Sequence, residues 1–210
     1  MTITIPFCFS LLAVAYLWLS QQGEFPLSFL VKILPLLLLT GWALRQNQAQ
    51  KWLLAALAFS MLGDVLLAWD GERLFVFGLA AFLLGHLSYL MNLRPFTRFY
   101  PALLLPYLGF AAVVLSLMWP QLGAMALPVC IYIAVILSMS FGTWCSGRAN
   151  PWLIAGGLFF IASDSLIGLN KFYQAIPSAG SWIMLTYYAA QFALVRGFLQ
   201  TPTQLQPQSD

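Results

Sequence analysis

Charge is almost missing from this chain. Of its 210 residues only 7% are Asp, Glu, Lys or Arg, where a soluble domain carries about a quarter. The nine basic residues stand singly and build no patch, which excludes nucleic acid as a partner. Histidine occurs once, so no histidine-based metal set is available. The cysteines Cys8, Cys130 and Cys145 are odd in number and far apart, which excludes a disulfide framework or a zinc site. They read as small apolar side chains. Nothing in the chain calls for a cofactor.

What is present is apolar residue, 61% of the total. A helix needs about 20 such residues to cross a bilayer core. Eight segments qualify: 3–20, 27–44, 52–69, 74–92, 101–118, 124–142, 152–170 and 180–199. The breaks between them carry turn residues and charge (RQNQAQK, DGER, RPFTRFYP, SGRANP), and none is long enough to be a domain. The expected fold is an all-α polytopic membrane protein of eight transmembrane helices. It forms a single transmembrane domain, 1–200, with a polar, proline-bearing tail, 201–210, expected to be disordered in the cytoplasm. The first segment lacks a basic flank and a small-residue cleavage site, so it reads as a retained helix rather than a signal peptide.

Basic residues set the orientation. Arg45, Lys51, Arg94, Arg98, Arg148 and Arg196 fall in the even-numbered breaks and at the C-terminal end, against Arg73 and Lys171 in the odd-numbered ones. Both termini are expected to be cytoplasmic. A weak internal repeat runs through the chain. FSMLGDVLLAW resembles FFIASDSLIGL, laying Asp64 over Asp164, and FLLGHLSY can be laid over YYAAQFAL, with His86 over Gln191. The repeat predicts two parallel four-helix halves, about 1–96 and 97–200, with the two aspartates on opposing walls of one cavity.

Those aspartates are the most informative residues. A carboxylate at bilayer depth costs a few kcal/mol unless it is paired, protonated or wet. At 1.5 Å per residue, Asp64, Asp164, Lys32 and Tyr187 all fall about 9 Å from the outer end of their helices, with His86, Tyr89 and Gln191 deeper. The expectation is a pocket opening outward with His86 and Gln191 at its floor. Ser60 shares a helix face with Asp64. Asn170 and Lys171 lie at the interface. Bland readings stand beside these: Lys32 reaching up to the interface, His86 as a helix–helix hydrogen bonder, Tyr89, Tyr187 and Gln191 as packing or lining. Two carboxylates facing one cavity share their protons unequally, which supplies an acid and a base together. The residues alone do not assign which is which.

KILPLLLL (32–39), SMLGDVLL (60–67), FLLGHLSY (82–89), ASDSLIGLNKF (162–172) and LTYYAAQ (185–191) together resemble the YhhN-like lysoplasmalogenase family of eight-helix membrane proteins. The resemblance implies hydrolysis of the vinyl ether bond of a lysoplasmalogen. The products are a fatty aldehyde and glycerophosphoethanolamine or glycerophosphocholine. It also implies that Asp64 and Asp164 are the family's acidic pair, here the expected catalytic residues, with Lys32, His86, Asn170, Lys171, Tyr187 and Gln191 around them; helical spacing adds Ser60 and Tyr89 as supporting residues. The chemistry suits two carboxylates without a metal: one protonates carbon, the other activates water or steadies the cation. Lys32 or Lys171 would hold the phosphate. The partners expected are the lysophospholipid substrate, entering from the bilayer, and membrane lipids.

The alternative from another class is a transporter or lipid-binding protein with an Asp/Lys/His relay. An intramembrane aspartyl protease fits poorly, because Met61 stands where a Gly-x-Gly-Asp motif needs glycine. Short loops favour a bacterial inner membrane.

Overall fold

The computed structural model describes residues 4–23, 28–46, 50–70 and 72–200. The tail 201–210, expected to be disordered, lies outside the described residues. The described chain is helical throughout, with no named strand. Its α-helices are α1 (Thr4–Gln21), α2 (Ser28–Arg45), α3 (Lys51–Trp69), α4 (Phe75–Asn92), α5 (Pro101–Leu122), α6 (Ala126–Cys145), α7 (Pro151–Phe172) and α8 (Ala179–Gln200). Among the described residues six stretches are long and apolar enough to cross a membrane, the 101–145 stretch of α5 and α6 counting as one; α8, one of the eight expected spans, is not among them.

Local chemistry explains several boundaries. Proline opens α5 and α7, where its missing N–H is no loss. Asn150 caps α7 by accepting from the amides of Trp152 and Leu153. α5 runs past its expected end at 118 to Leu122, through Pro120. It stops at Gly123, whose φ of 48° lies in the left-handed region. A short 3-10 turn, Gly123–Met125, then leads into α6, which starts and finishes later than the expected 124–142.

Polarity is inverted relative to a soluble protein. Leu105 is 76% exposed and Trp69 72% exposed, whereas Asp64 and His86 are each 1% exposed. Apolar side chains therefore face outward and polar ones inward, the arrangement that a hydrocarbon solvent selects. Among the described residues α3 packs most closely on α4, and α7 on α8. Glycines permit these approaches. A Cβ on Gly63 would sit 2.6 Å from the Phe82 ring, one on Gly156 2.7 Å from Leu194, and one on Gly197 2.7 Å from Leu153. Further contacts join α2 to α3, α6 to α7, α4 to α6, and α8 to both α1 and α2.

Candidate active site

The helices that carry the polar residues converge on one chamber of about 850 Å³. It lies at the end of the bundle where α1, α3 and α7 finish and α2 and α8 begin. Asp64 and Asp164 both line it, with Lys32, Asn170, Lys171 and Tyr187.

The two carboxylates are held differently. Asp64, on α3, uses both oxygens. Lys32 Nζ lies 3.0 Å from Oδ1, and the Tyr187 hydroxyl donates to Oδ2 at 2.6 Å. Lys32 therefore turns inward to an ion pair rather than out to the interface. Its backbone carbonyl accepts from Tyr188 at 2.8 Å, so consecutive tyrosines of α8 grip α2 and α3 together. The ion pair is nearly closed off, with Lys32 12% and Asp64 2% exposed at the side chain.

Asp164, on α7, is bound through one oxygen. Tyr132 of α6 donates to Oδ2, and His86 Nε2 lies 3.0 Å from that same oxygen and 3.0 Å from the Tyr132 hydroxyl. The other ring nitrogen of His86 is buried with no hydrogen-bond partner among the described residues. A bare lone pair costs less there than a bare N–H, so the proton belongs on Nε2, which donates to Asp164. Phe160 packs edge-on against His86, with ring centroids 4.8 Å apart, and fixes its plane.

The remaining expected residues divide. Lys171 Nζ rests 4.4 Å from the Phe75 ring centre, at the chamber wall. Asn170 Oδ1 accepts from the Ile176 amide at 2.9 Å and so shapes the loop into α8. Ser60 is buried between α3 and α4, facing Gly85, and does not line the chamber. Tyr89 donates to Gln191 Oε1 at 2.5 Å beneath the chamber floor. Gln191 does not stand towards Asp64 as His86 stands towards Asp164; Tyr187 does. Sequence reasoning missed Tyr132 and the rim residues Tyr16, Gln21, Ser178 and Ser181. A signal for Tyr132 existed: it precedes Asp164 by the same 32 residues that separate Lys32 from Asp64.

An apolar slot of about 60 Å³, room for roughly five methylenes, adjoins the chamber. It runs between α4, α5, α6 and α7, lined by Leu79, Val114, Met118, Ile133 and Ile136 among others. Asp164, Leu67, Phe75, Phe82 and Ile167 border both spaces. Gly168 keeps the slot open, since a Cβ there would lie 2.9 Å from Met118 Sδ.

Fold and site define a polytopic helical membrane protein with a carboxylate pair in an internal chamber. The chain belongs to the YhhN family, whose family model matches residues 27–198. It is similar to the human lysoplasmalogenase TMEM86B, 34% identical over 94% of this chain and 86% of that protein. A second human relative, lysoplasmalogenase TMEM86A, is 31% identical over 89% of this chain and 84% of its own length. A lysoplasmalogenase of Mycobacterium tuberculosis is 32% identical over 72% of this chain and 62% of its own length. No solved structure matches.

Proposed function

We propose that this protein is a lysoplasmalogenase. It hydrolyses the vinyl ether of a lysoplasmalogen to a fatty aldehyde and glycerophosphoethanolamine or glycerophosphocholine. The observation that carries this reading is the chamber itself. Two aspartates with unlike partners face one space large enough for a headgroup, in a chain whose relatives bear that name.

The chemistry follows from the partners. Vinyl ether hydrolysis needs a neutral acid to protonate the β-carbon, an anion near the resulting oxocarbenium ion, and a base for water. The Lys32–Asp64 pair supplies an anion whose charge is matched, and Tyr187 orients it. His86 and Tyr132 fix the plane of Asp164. With Lys32 committed to Asp64, Lys171 at the rim is the cation for the phosphate. Asn170 supports it by shaping the neighbouring loop. Ser60, Tyr89 and Gln191 hold helices together below.

This reading includes a topology. All eight helices cross the membrane as one domain, both termini face the cytoplasm, and the chamber opens at the opposite face. The distribution of basic residues supports it, and the short loops fit a bacterial inner membrane. It also includes two four-helix halves. Each aspartate takes one partner from the preceding helix, Lys32 or Tyr132, and one from the last helix of the other half, Tyr187 or His86.

The test is aldehyde release from a lysoplasmalogen by protein purified in detergent, beside Asp64→Asn and Asp164→Asn. The expected result is release by the wild type and loss in both variants at equal folded yield. A folded wild type that releases no aldehyde overturns the reading. Saturable uptake of lysolipid without conversion would put a transporter in its place.

A further inference from the structure

We propose that the apolar slot between α4, α5, α6 and α7 takes the first carbons of the substrate's hydrocarbon chain, those next to the vinyl ether, which makes Asp164 the carbon acid and Asp64 the base. The inference rests on the vinyl ether reading above and assigns the roles within it.

The argument begins with the shape of the substrate. A lysoplasmalogen has a charged headgroup at one end and a hydrocarbon chain at the other, with the vinyl ether between them. The chamber carries Lys171, Asn170, Ser178 and Ser181, and the slot is walled almost wholly by Leu, Ile, Val, Phe and Met. Headgroup and chain therefore sort into the two spaces, because each polar or apolar mismatch costs free energy. The scissile group is then left at the junction. Asp164 is the carboxylate that borders both spaces; Asp64 borders the chamber alone.

Direction along the substrate decides the roles. In the sequence chain–CβH=CαH–O–glycerol, the carbon that takes the proton is one atom further towards the chain. The carboxylate at the slot mouth faces it. The carbon that takes water, and the oxygen that leaves, lie on the headgroup side, where Asp64 stands. The hydrogen bonds agree. Both donors to Asp164 meet on Oδ2, so Oδ1 carries the reactive proton. Both oxygens of Asp64 are engaged by a cation and a hydroxyl, as suits a carboxylate.

The steps balance without any further reagent. The π pair of the double bond takes the proton from Asp164 Oδ1 to form the Cβ–H bond, leaving an oxocarbenium ion at Cα and a carboxylate on Asp164. Water adds to Cα and gives its proton to Asp64. The hemiacetal then returns its hydroxyl proton to Asp164 as the C=O bond forms. The C–O bond to glycerol breaks, and the departing oxygen takes the proton from Asp64. Aldehyde and alcohol leave with both carboxyl groups restored.

The experiment has two arms, both opened by a wild-type control on a long-chain lysoplasmalogen. No aldehyde from that control sinks the vinyl ether reading itself, before either arm is read. The first arm compares alkenyl chains of about sixteen and about three carbons on Val114→Phe and Val114→Ala, where lost pocket volume shifts selectivity by about tenfold. Val114→Phe is expected to lower kcat/KM for the long chain with the short one kept, and Val114→Ala to favour the long chain. An unchanged ratio in both folded variants overturns the slot assignment. The second arm adds sodium formate at neutral pH, an anion that supplies a base but no acid. Asp64→Ala leaves Lys32 to hold formate and is expected to regain activity about tenfold or more above its residual level, while Asp164→Ala regains none. Rescue of Asp164→Ala, or of neither, overturns the assignment of roles.

Discussion

At the scale of single residues, the site is a study in how neighbours differentiate two identical side chains. Lys32 and Asp64 are almost buried, so removing one charge strands the other. Lys32→Met is expected to cost about 3 kcal/mol. Lys32→Met with Asp64→Asn should recover most of that stability and none of the activity. Thermal unfolding in detergent beside aldehyde release checks both halves of the statement. Tyr132→Phe removes the hydroxyl between His86 and Asp164 and nothing else. It is expected to lower kcat by about a hundredfold, the usual effect of losing one oriented donor, with KM little changed. Equal kcat for wild type and Tyr132→Phe would remove Tyr132 from the site. That the aspartates, Lys32 and Tyr187 lie around one chamber was legible in the sequence, because they fall at one membrane depth, where polar groups turn away from lipid. Tyr132 was not, because a tyrosine in an apolar run looks like packing until its partner is known.

At the scale of elements, the helices were legible to within a few residues, since an apolar stretch between charged turns has few other ways to fold. The misjudged boundary was the α5–α6 junction. WPQLG reads as a loop, yet a proline near the end of a helix loses little, and the chain goes on to Gly123. Close helix approach was not visible at all, because a glycine in sequence does not say what it faces. Gly156 meets Leu194 and Gly197 meets Leu153, so the α7–α8 contact is keyed at two levels. Gly156→Val is expected to cost about 1–3 kcal/mol through overpacking. Gly109, with nothing within 4 Å of an added Cβ, serves as the control. Gly109→Ala should be neutral or slightly stabilising, because alanine is the better helix former. A midpoint unchanged by Gly156→Val would show that the two helices separate easily.

At the scale of the whole molecule, the end of the bundle remote from the chamber is closed by a polar clasp. Arg148 donates to Gln50 at 2.9 Å, to the Asn92 carbonyl at 3.3 Å and to the Phe198 carbonyl at 3.2 Å. Gln50 also accepts from Asn92 and donates to Phe198. One guanidinium thus ties the start of α3, the end of α4 and the last turn of α8, where a cation also meets the negative end of the helix dipole. Burial pulls Arg148 down from its ordinary pKa. Arg148→Ala is expected to cost about 2 kcal/mol, with activity per folded molecule retained. Unfolding midpoints and activity normalised to folded protein check this. None of the clasp was foreseen, because its parts lie far apart in the chain: Gln50 before α3, Asn92 at the end of α4, Arg148 between α6 and α7, and Phe198 in the last turn of α8. A last consequence comes from the way each carboxylate borrows a partner across the chain midpoint. Asp64 depends on Tyr187, and Asp164 on His86. A cut in the 93–100 loop would give two fragments, each holding one half-dressed acid and one orphaned donor. Neither piece is expected to hydrolyse a vinyl ether alone, so aldehyde production from co-expressed fragments would be a direct readout of their finding each other in the membrane.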